Sequence, residues 1–337
     1  MMTGTTEKKV ILSGIQPTNK LTLGNYLGAI KQWVRIQNDY DAYFIAVDQH
    51  AITVRQDPAQ LRKNTLFSVA CYIAAGIDPE RCVLFIQSQV HQHSQLAWTL
   101  NCFGYMGELS RMIQFKEKSA KSGSNIPVGL FTYPLLMAAD ILLYDTALVP
   151  VGDDQTQHVE LTRDIAERMN GIYGPDTFVI PKAHIPKVAA RVMDLLTPTS
   201  KMSKSAINEN GSVFISDSAA DIEKKFKRAT TDSATVIAFD TENKPGVSNL
   251  LSIQSAITGE SLEEVIARYE GKQYGHLKLE TAQIVIKELI PIQQRAQELV
   301  DEKTELNRIL KMGAERASEH AERTIKRIHE RIGYVVL

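Results

Sequence analysis

The stretch VILSGIQPTNKLTLGNYLGA, residues 10–29, passes from an apolar run through a polar, glycine-bearing turn into a helical pattern. Val10–Gly14 is continuously apolar, as strands buried on both faces of a parallel sheet tend to be. Four further runs read the same way: AYFIAV (42–47), VLFIQ (83–87), ALVPV (147–151) and RVMDL (191–195). Helical segments with legible ends lie between them. In DPAQLRKNTLFSVACYIAAG (57–76), Asp57 reads as the N-cap, Pro58 opens the first turn and Gly76 stops the helix. Strand–helix alternation predicts an α/β fold, a Rossmann-like doubly wound parallel sheet. After about Ser216 the strand signal fades into four helical patterns, at 221–232, 246–259, 281–302 and 306–333. The expected organisation is a catalytic domain over 1–206 with a helical insertion at about 92–146, then a C-terminal α-helical domain over 207–337 whose last helix can fold back on the first.

Composition narrows the functional classes. The chain has 337 residues, 44% apolar and 23% charged, with a formal net charge of −1. That length suits two domains rather than one small core. The near-zero charge excludes a polybasic coat, so contact with nucleic acid has to use local patches. No apolar run reaches the ~18 residues of a membrane span, and residues 1–10 lack a signal peptide's apolar segment. Cys71, Cys82 and Cys102 are odd in number and form no C-x-x-C, which argues against a disulfide framework or structural zinc and fits a cytoplasmic location. His91-x-His93 has metal-ligand spacing, but ordinary surface or pocket histidines share it. KSAKSGSN (118–125) reads as a mobile loop.

In an open parallel sheet, ligands bind beyond the carboxyl ends of the strands where strand order reverses, here between the first and fourth. The first strand runs into the turn already quoted and the fourth into GDDQTQHVELTRDIA (152–166). Both turns feed helices and aim backbone N–H groups at the crevice. Gly24 lets a flat base approach the backbone, and Thr22 and Asn25 offer short polar groups to phosphate. Asp153 and Asp154 offer acceptors to ribose hydroxyls. Each turn taken alone is equally an ordinary helix cap. The pentapeptide KMSKS, Lys201–Ser205, shifts the balance. It follows the last expected strand and so hangs over the same rim, and a chance match of that composition has a probability of roughly 10⁻⁴ in a chain this long. Two lysines on a flexible tether suit a polyphosphate whose charge shifts during reaction.

TLGN (22–25) and KMSKS together resemble the two signatures of class I aminoacyl-tRNA synthetases. Thr22 and Asn25 stand where that family usually has two histidines, a substitution typical of its tryptophan branch. VDQHAITVRQD (47–57), GELSRMIQFKEKS (107–119), LLMAADILLY (135–144), VPVGDDQTQH (149–158) and YGHLK (274–278) are also similar to that branch. The resemblance implies ATP contacts from Gln16, Pro17, Thr18, Gly24, Asn25, Gly152, Asp153, Asp154 and Val192. Lys201, Met202, Ser203, Lys204 and Ser205 would close on the phosphates, with Lys118 a further candidate. Thr22, Asn25, Lys201 and Lys204 form the implied catalytic set. Asp153 stands where relatives often have Glu, and QPTNK (16–20) departs from the commoner QPSG.

The amino-acid pocket can be read from GLFTYPLLMAADILLYDT (129–146). At helical spacing Tyr133, Met137, Asp140 and Tyr144 share a face, which sets one carboxylate among large apolar groups. A buried carboxylate needs a donor, and indole N–H is a donor without acceptor capacity. A structural acid paired with some arginine is the competing reading, and the resemblance favours tryptophan. It adds Leu12, Val149 and Val151 as lining, with His50 and Gln155 attending the substrate's amino or carboxylate end.

The implied reaction has two steps. The carboxylate of L-tryptophan attacks the α-phosphate of ATP, which arrives with Mg²⁺, giving tryptophanyl-adenylate and pyrophosphate; a terminal ribose hydroxyl of tRNA(Trp) then attacks the adenylate. No general base is evident, and positioning with charge stabilisation carries the rate. Lys224, Lys225, Lys227 and Arg228, and Arg316, Arg323, Lys326, Arg327 and Arg331, are patches for tRNA or merely solvated faces. Family members are homodimers, and QLAWTLNCFGYMGELSRM (95–112) is apolar enough to serve as the contact or as core. Rival readings are a tyrosyl enzyme, a small-molecule nucleotidyltransferase and a non-catalytic RNA-binding relative.

Overall fold

The computed structural model describes residues 8–121, 125–152, 155–184, 191–204 and 208–336. Among them, five parallel strands lie in the order β3-β2-β1-β4-β5: β1 (Val10–Ile15), β2 (Asp41–Ala46), β3 (Val83–Ile86), β4 (Leu148–Pro150) and β5 (Lys182–His184). β1 pairs with β2 from Val10↔Asp41 to Ile15↔Ala46 and with β4 through Ile11↔Leu148. Strand order therefore reverses between β1 and β4, which is where open parallel sheets place their ligand crevice.

The continuous apolar runs have a simple cause. Ile11, Ile15, Ala42, Phe44, Ala46, Leu84 and Ile86 feed one core, and the alternate residues Leu12, Tyr43, Ile45, Val83 and Phe85 feed another. Side chains point to opposite faces with period two, and here both faces are covered. The first core takes α1 (Leu23–Asn25), the π turn Tyr26–Ile30, α2 (Lys31–Ile36) and, beyond the short α3 (Asp48–Ala51), α4 (Pro58–Ala74). The second takes α5 (Gln92–Asn101), α6 (Met106–Ser110), α8 (Val128–Leu142) and α9 (Thr156–Tyr173), with α7 (Ile113–Lys121) beside α8. Asp57 caps α4 as expected, accepting from the Gln60 N–H at 2.8 Å, and Gly76 leaves the helix at φ 112°. Helix α7 runs to Lys121, so the loop expected from residue 118 begins later; residues 122–124 and the Lys118 side chain lie outside the described residues.

The fifth strand corrects the sequence reading. RVMDL (191–195) does not enter the sheet; Met193 makes a single antiparallel bridge, to Lys201. The Asp194 carboxylate turns back to accept from the N–H groups of Leu196 and Thr197, both at 2.9 Å, which bends the chain into a hairpin. The edge is instead Lys182–His184, three residues without an apolar run, held by main-chain pairing with β4.

After the hairpin come α10 (Ala219–Lys227), α11 (Pro245–Thr258), α12 (Leu262–Ala267), α13 (Tyr274–Glu302) and α14 (Thr304–Ile332). Helices α11 and α13 extend the first core without a break. Helix α14 crosses from the first core, with Leu306, Ile309 and Leu310, to the second, with Ala317, Ala321, Ile325 and Ile328. In doing so it covers the outer edge of β3: Arg316 donates to the Cys82 carbonyl at 2.9 Å, and a β-carbon on Gly313 would stand 1.8 Å from the Leu84 carbonyl oxygen. A covered edge cannot recruit another strand. Gly313→Ala is expected to lose about 2 kcal/mol, because backbone faces backbone and neither can yield. Gly171→Ala in α9, where a β-carbon meets nothing within 4 Å, should be neutral or slightly stabilising. Denaturant titration of both variants checks the contrast.

Candidate functional site

The turn after β1 is locked by its own side chains. Thr22 caps α1: its hydroxyl accepts from the Asn25 N–H at 3.2 Å and donates to Asn25 Oδ1 at 3.1 Å. Asn25 Oδ1 also accepts from the Thr22 N–H at 3.0 Å, which closes a capping box. With Oδ1 committed, the amide Nδ2 is the face this box leaves for other partners. A β-carbon on Gly24 would lie 3.7 Å from the Val192 β-carbon and 3.8 Å from that of Met202, so the turn stands against the hairpin carrying the lysines.

That hairpin is fastened along both arms. Met202 N–H donates to the Val192 carbonyl at 3.0 Å and Asp194 N–H to that of Ser200 at 2.8 Å. Beyond it, residues 213–215 pair antiparallel with 21–23: Leu23 N–H donates to the Val213 carbonyl and Ile215 N–H to that of Leu21, each at 2.8 Å. The Lys204 ammonium reaches the Gln16 carbonyl at 2.7 Å, and Asn19 Nδ2 donates to the Lys204 carbonyl at 3.2 Å. Two signatures nearly 180 residues apart in sequence thus touch at one rim. Burial pushes the Lys204 amine down to about 7, since desolvation disfavours its charged form. Pro17, Val192 and Met202 are buried; Gln16, Thr18 and Lys204 are partly so; Lys201, Ser203 and Gly152 are exposed. Asp153, Asp154 and Ser205 lie outside the described residues.

On the other side of β1, Asp140 is 3% exposed near the end of α8. Its Oδ1 accepts from Gln87 Nε2 at 2.7 Å and His93 Nδ1 at 2.6 Å, and its Oδ2 from His50 Nε2 at 2.8 Å. Burial by itself would raise this carboxyl, but the hydrogen bonds from His50 and His93 outweigh it and hold the group down at about 2. The sequence reading looked to an indole to compensate a costly buried acid; here three side chains of the protein do so. A carboxylate has roughly four acceptor positions, which leaves one on Oδ2. His93 Nε2 in turn takes the Tyr144 hydroxyl at 2.8 Å, so Tyr144, past the end of α8, still joins the cluster.

Tyr133 stands edge-on to His50 at 6.2 Å between ring centroids, with its hydroxyl 2.8 Å from His158 Nε2. Leu12, Val149 and Val151 belong to the second core, and Met137 packs against it. Gln155 heads α9, its N–H on the Gly152 carbonyl at 3.0 Å. His50 is buried and directed at Asp140. Tyr133, His50 and Asp140 are thus brought together, and Leu12, Met137, Val149 and Val151 share the second core with the helix that carries Asp140. Gln87, His93 and His158 were missed. His91-x-His93 is not a pair in space: His91 is exposed, whereas His93 is wholly buried on Asp140. Among the described residues no three metal-ligating side chains converge.

Several basic residues have structural tasks. Lys225 is buried against Asp217 at 2.6 Å, Arg327 pairs with Asp145, and Arg331 donates to the Gly174 and Pro175 carbonyls. Arg316 holds β3 as described. Lys224, Lys227, Arg228, Arg323 and Lys326 are exposed.

Residues 5–289 match the family model for tRNA synthetases class I (W and Y). A tryptophan–tRNA ligase from Clostridium perfringens is 51% identical over 329 residues, covering 98% of each chain. The crystal structure of tryptophanyl-tRNA synthetase from Mycoplasma pneumoniae is similar with a TM-score of 0.90 at 36% identity, covering 97% of this chain and 98% of that one. The Campylobacter jejuni tryptophanyl-tRNA synthetase, complexed with ADP and tryptophan, gives 0.82 at 37% identity, over 96% of this chain and 99% of that one.

A depressed lysine has a measurable signature. Between its folded value of about 7 and the ordinary 10.5, Lys204 is neutral in the native protein and protonated in the unfolded chain. Folding thus releases a proton in that window, and this group's contribution to stability rises with pH across it. Carbon-13 NMR of the lysine side chain is expected to titrate near 7 in the folded protein and near the ordinary 10.5 in denaturant.

Proposed function

The chain belongs to the class I tRNA synthetases of the tryptophan and tyrosine family and is a tryptophan–tRNA ligase, and from that membership we propose how its residues divide the work. ATP lies across the rim between β1 and β4. Its base sits over Gly24 with Val192 and Met202 behind, its ribose near Gly152, Asp153 and Asp154, and its phosphates near Gln16, Pro17, Thr18 and Asn25. The contact that carries this reading is Lys204 on the Gln16 carbonyl, which links the two signatures.

In the first step a carboxylate oxygen of tryptophan forms a bond to the α-phosphorus, and the bond to the bridging oxygen breaks to release pyrophosphate. Lys204 leaves its carbonyl partner for the phosphates, and Lys201 follows on the same hairpin. The incoming negative charge raises the Lys204 pKa and keeps the amine protonated. Its attraction is therefore strongest as the leaving group gains charge, which is when stabilisation lowers a barrier. Ser203 and Ser205 offer hydroxyls beside the lysines, and Mg²⁺ comes with the nucleotide. In the second step a ribose hydroxyl at the 3′ end of tRNA(Trp) attacks the acyl carbon and AMP leaves.

The indole N–H takes the acceptor position left on Asp140 Oδ2. Leu12, Met137, Val149 and Val151 surround the ring, while Tyr133, His50 and Gln155 bound the pocket. Phenylalanine would leave that acceptor unpaired, and sites of this kind can discriminate by ~10⁴ or more. Tyrosine brings a donor of its own, so shape has to reject it.

Residues 1–206 act as the catalytic unit, with an insertion at about 92–146, and 207–337 meet the anticodon. Exposed Lys224, Lys227, Arg228, Arg323 and Lys326 suit phosphate contacts with tRNA. Two copies associate through the helices around α5 and α6, where Trp98 and Met106 are 70% and 73% exposed. Cytoplasmic location agrees with the three free cysteines, and no described helix is long and apolar enough to cross a membrane.

ATP–pyrophosphate exchange tests the reading: tryptophan should stimulate it and tyrosine should not. Lys204→Ala is expected to slow exchange by ~10²–10³-fold with tryptophan affinity nearly unchanged. Asp140→Asn should weaken tryptophan binding by calorimetry, because one amide oxygen cannot serve the donors a carboxylate serves and its N–H₂ faces His50 or His93. Unchanged affinity in that variant removes Asp140 from the pocket.

A further inference from the structure

We infer that Asn249, a buried side chain of α11, is a positioning residue for the ATP step. The inference rests on the reading of the Lys201–Lys204 hairpin as the phosphate clamp.

Asn249 is buried and meets one residue twice. Its Oδ1 accepts from the Met193 N–H at 2.9 Å and its Nδ2 donates to the Met193 carbonyl at 3.0 Å. Met193 is the residue bridged to Lys201. The hairpin's own hydrogen bonds run through its neighbours, Val192 with Met202 and Asp194 with Ser200. In an antiparallel pair, groups that do not bond across the ladder point away from it. Both main-chain groups of Met193 therefore face outward, and one carboxamide satisfies the two together, as an adjacent strand would. Without it a donor and an acceptor in a partly buried place lose their partners, which is costly.

The helix behind Asn249 is itself rigidly held. Val247, Leu250, Leu251 and Ile253 are fully buried. Gly246 lies so close to Thr230 that a β-carbon would stand 2.0 Å from its carbonyl oxygen. Thr230 in turn donates through its N–H to the Leu195 carbonyl and through its hydroxyl to that of Leu196, each at 2.8 Å. The base of the hairpin is thus referenced to α11 at two points, one on each side of Asp194. The amine positions of Lys201 and Lys204 follow from that base, and a misplacement of about 1 Å can lower a rate ~10²-fold.

The test is ATP–pyrophosphate exchange by the full-length Asn249→Ala and Asn249→Asp variants, with tryptophan binding measured by calorimetry and folding by thermal melting. Asn249→Asp keeps the size and the acceptor for Met193 N–H, so it decides the matter if the alanine variant does not fold. The expected result is a ~10- to 100-fold loss in kcat/KM for ATP, with tryptophan affinity within about twofold of the parent. Unchanged exchange in a folded variant overturns the inference, and so does an equal loss for ATP and tryptophan, which is what a general loosening would give. Lys204→Ala separates the two layers: if it leaves exchange intact, the clamp reading fails; if it cripples exchange while both Asn249 variants do not, only the role of Asn249 fails.

Discussion

Strand β1 is paired on both sides, with β2 and with β4, and the chain builds outward from it in opposite directions. This constraint fixes nearly everything functional. The carboxyl end of β1 is left facing a gap that neither neighbour fills, and the turn there, Gln16 to Asn25, becomes one wall of a crevice. Residues 213–215 then add to that turn as a short antiparallel partner, which brings the lysine hairpin to the same place.

The two chemistries at this rim are handled by opposite electrostatic means. Lys204 is an amine whose charge is suppressed by burial, although the Gln16 carbonyl accepts from it, so an arriving anion would restore that charge. Asp140 is a carboxylate with its charge secured by His50, His93 and Gln87, so it stays ionised across any physiological pH. One group is responsive and the other fixed, a contrast that suits the two proposed tasks of meeting a phosphate and recognising a side chain.

Much of this was legible in the sequence. The first three strands announce themselves because both of their faces are largely buried, so their apolar runs are unbroken; the fourth keeps an apolar run although Leu148 and Pro150 are only partly buried. The caps of α4 and the strand–turn–helix at TLGN are local events that short-range chemistry determines. β5 was not legible, since Lys182–His184 carries no pattern and is held by main-chain pairing alone. RVMDL was misread because Val192 and Leu195 are core residues of a hairpin, and apolar character does not distinguish that from a strand. Gln87 and His93 join Asp140 only because the end of β3 and the start of α5 meet α8, a proximity no spacing encodes. The basic residues of α14 show the same limit from the other side: Arg316, Arg327 and Arg331 look like a surface patch in sequence, yet they bind main-chain carbonyls and an acid of the sheet region.

The position of α14 on the rim of β3 also bears on how the polypeptide is made. Leu84 leaves the ribosome about 250 residues before Ile332, and at ~5–20 residues per second that interval lasts tens of seconds at the slower rates. Until α14 is made, β3 is without the helix that covers its outer edge. The nascent chain therefore carries an open, apolar-backed ribbon edge over that interval, and α14, made long after β3, is the segment that closes it.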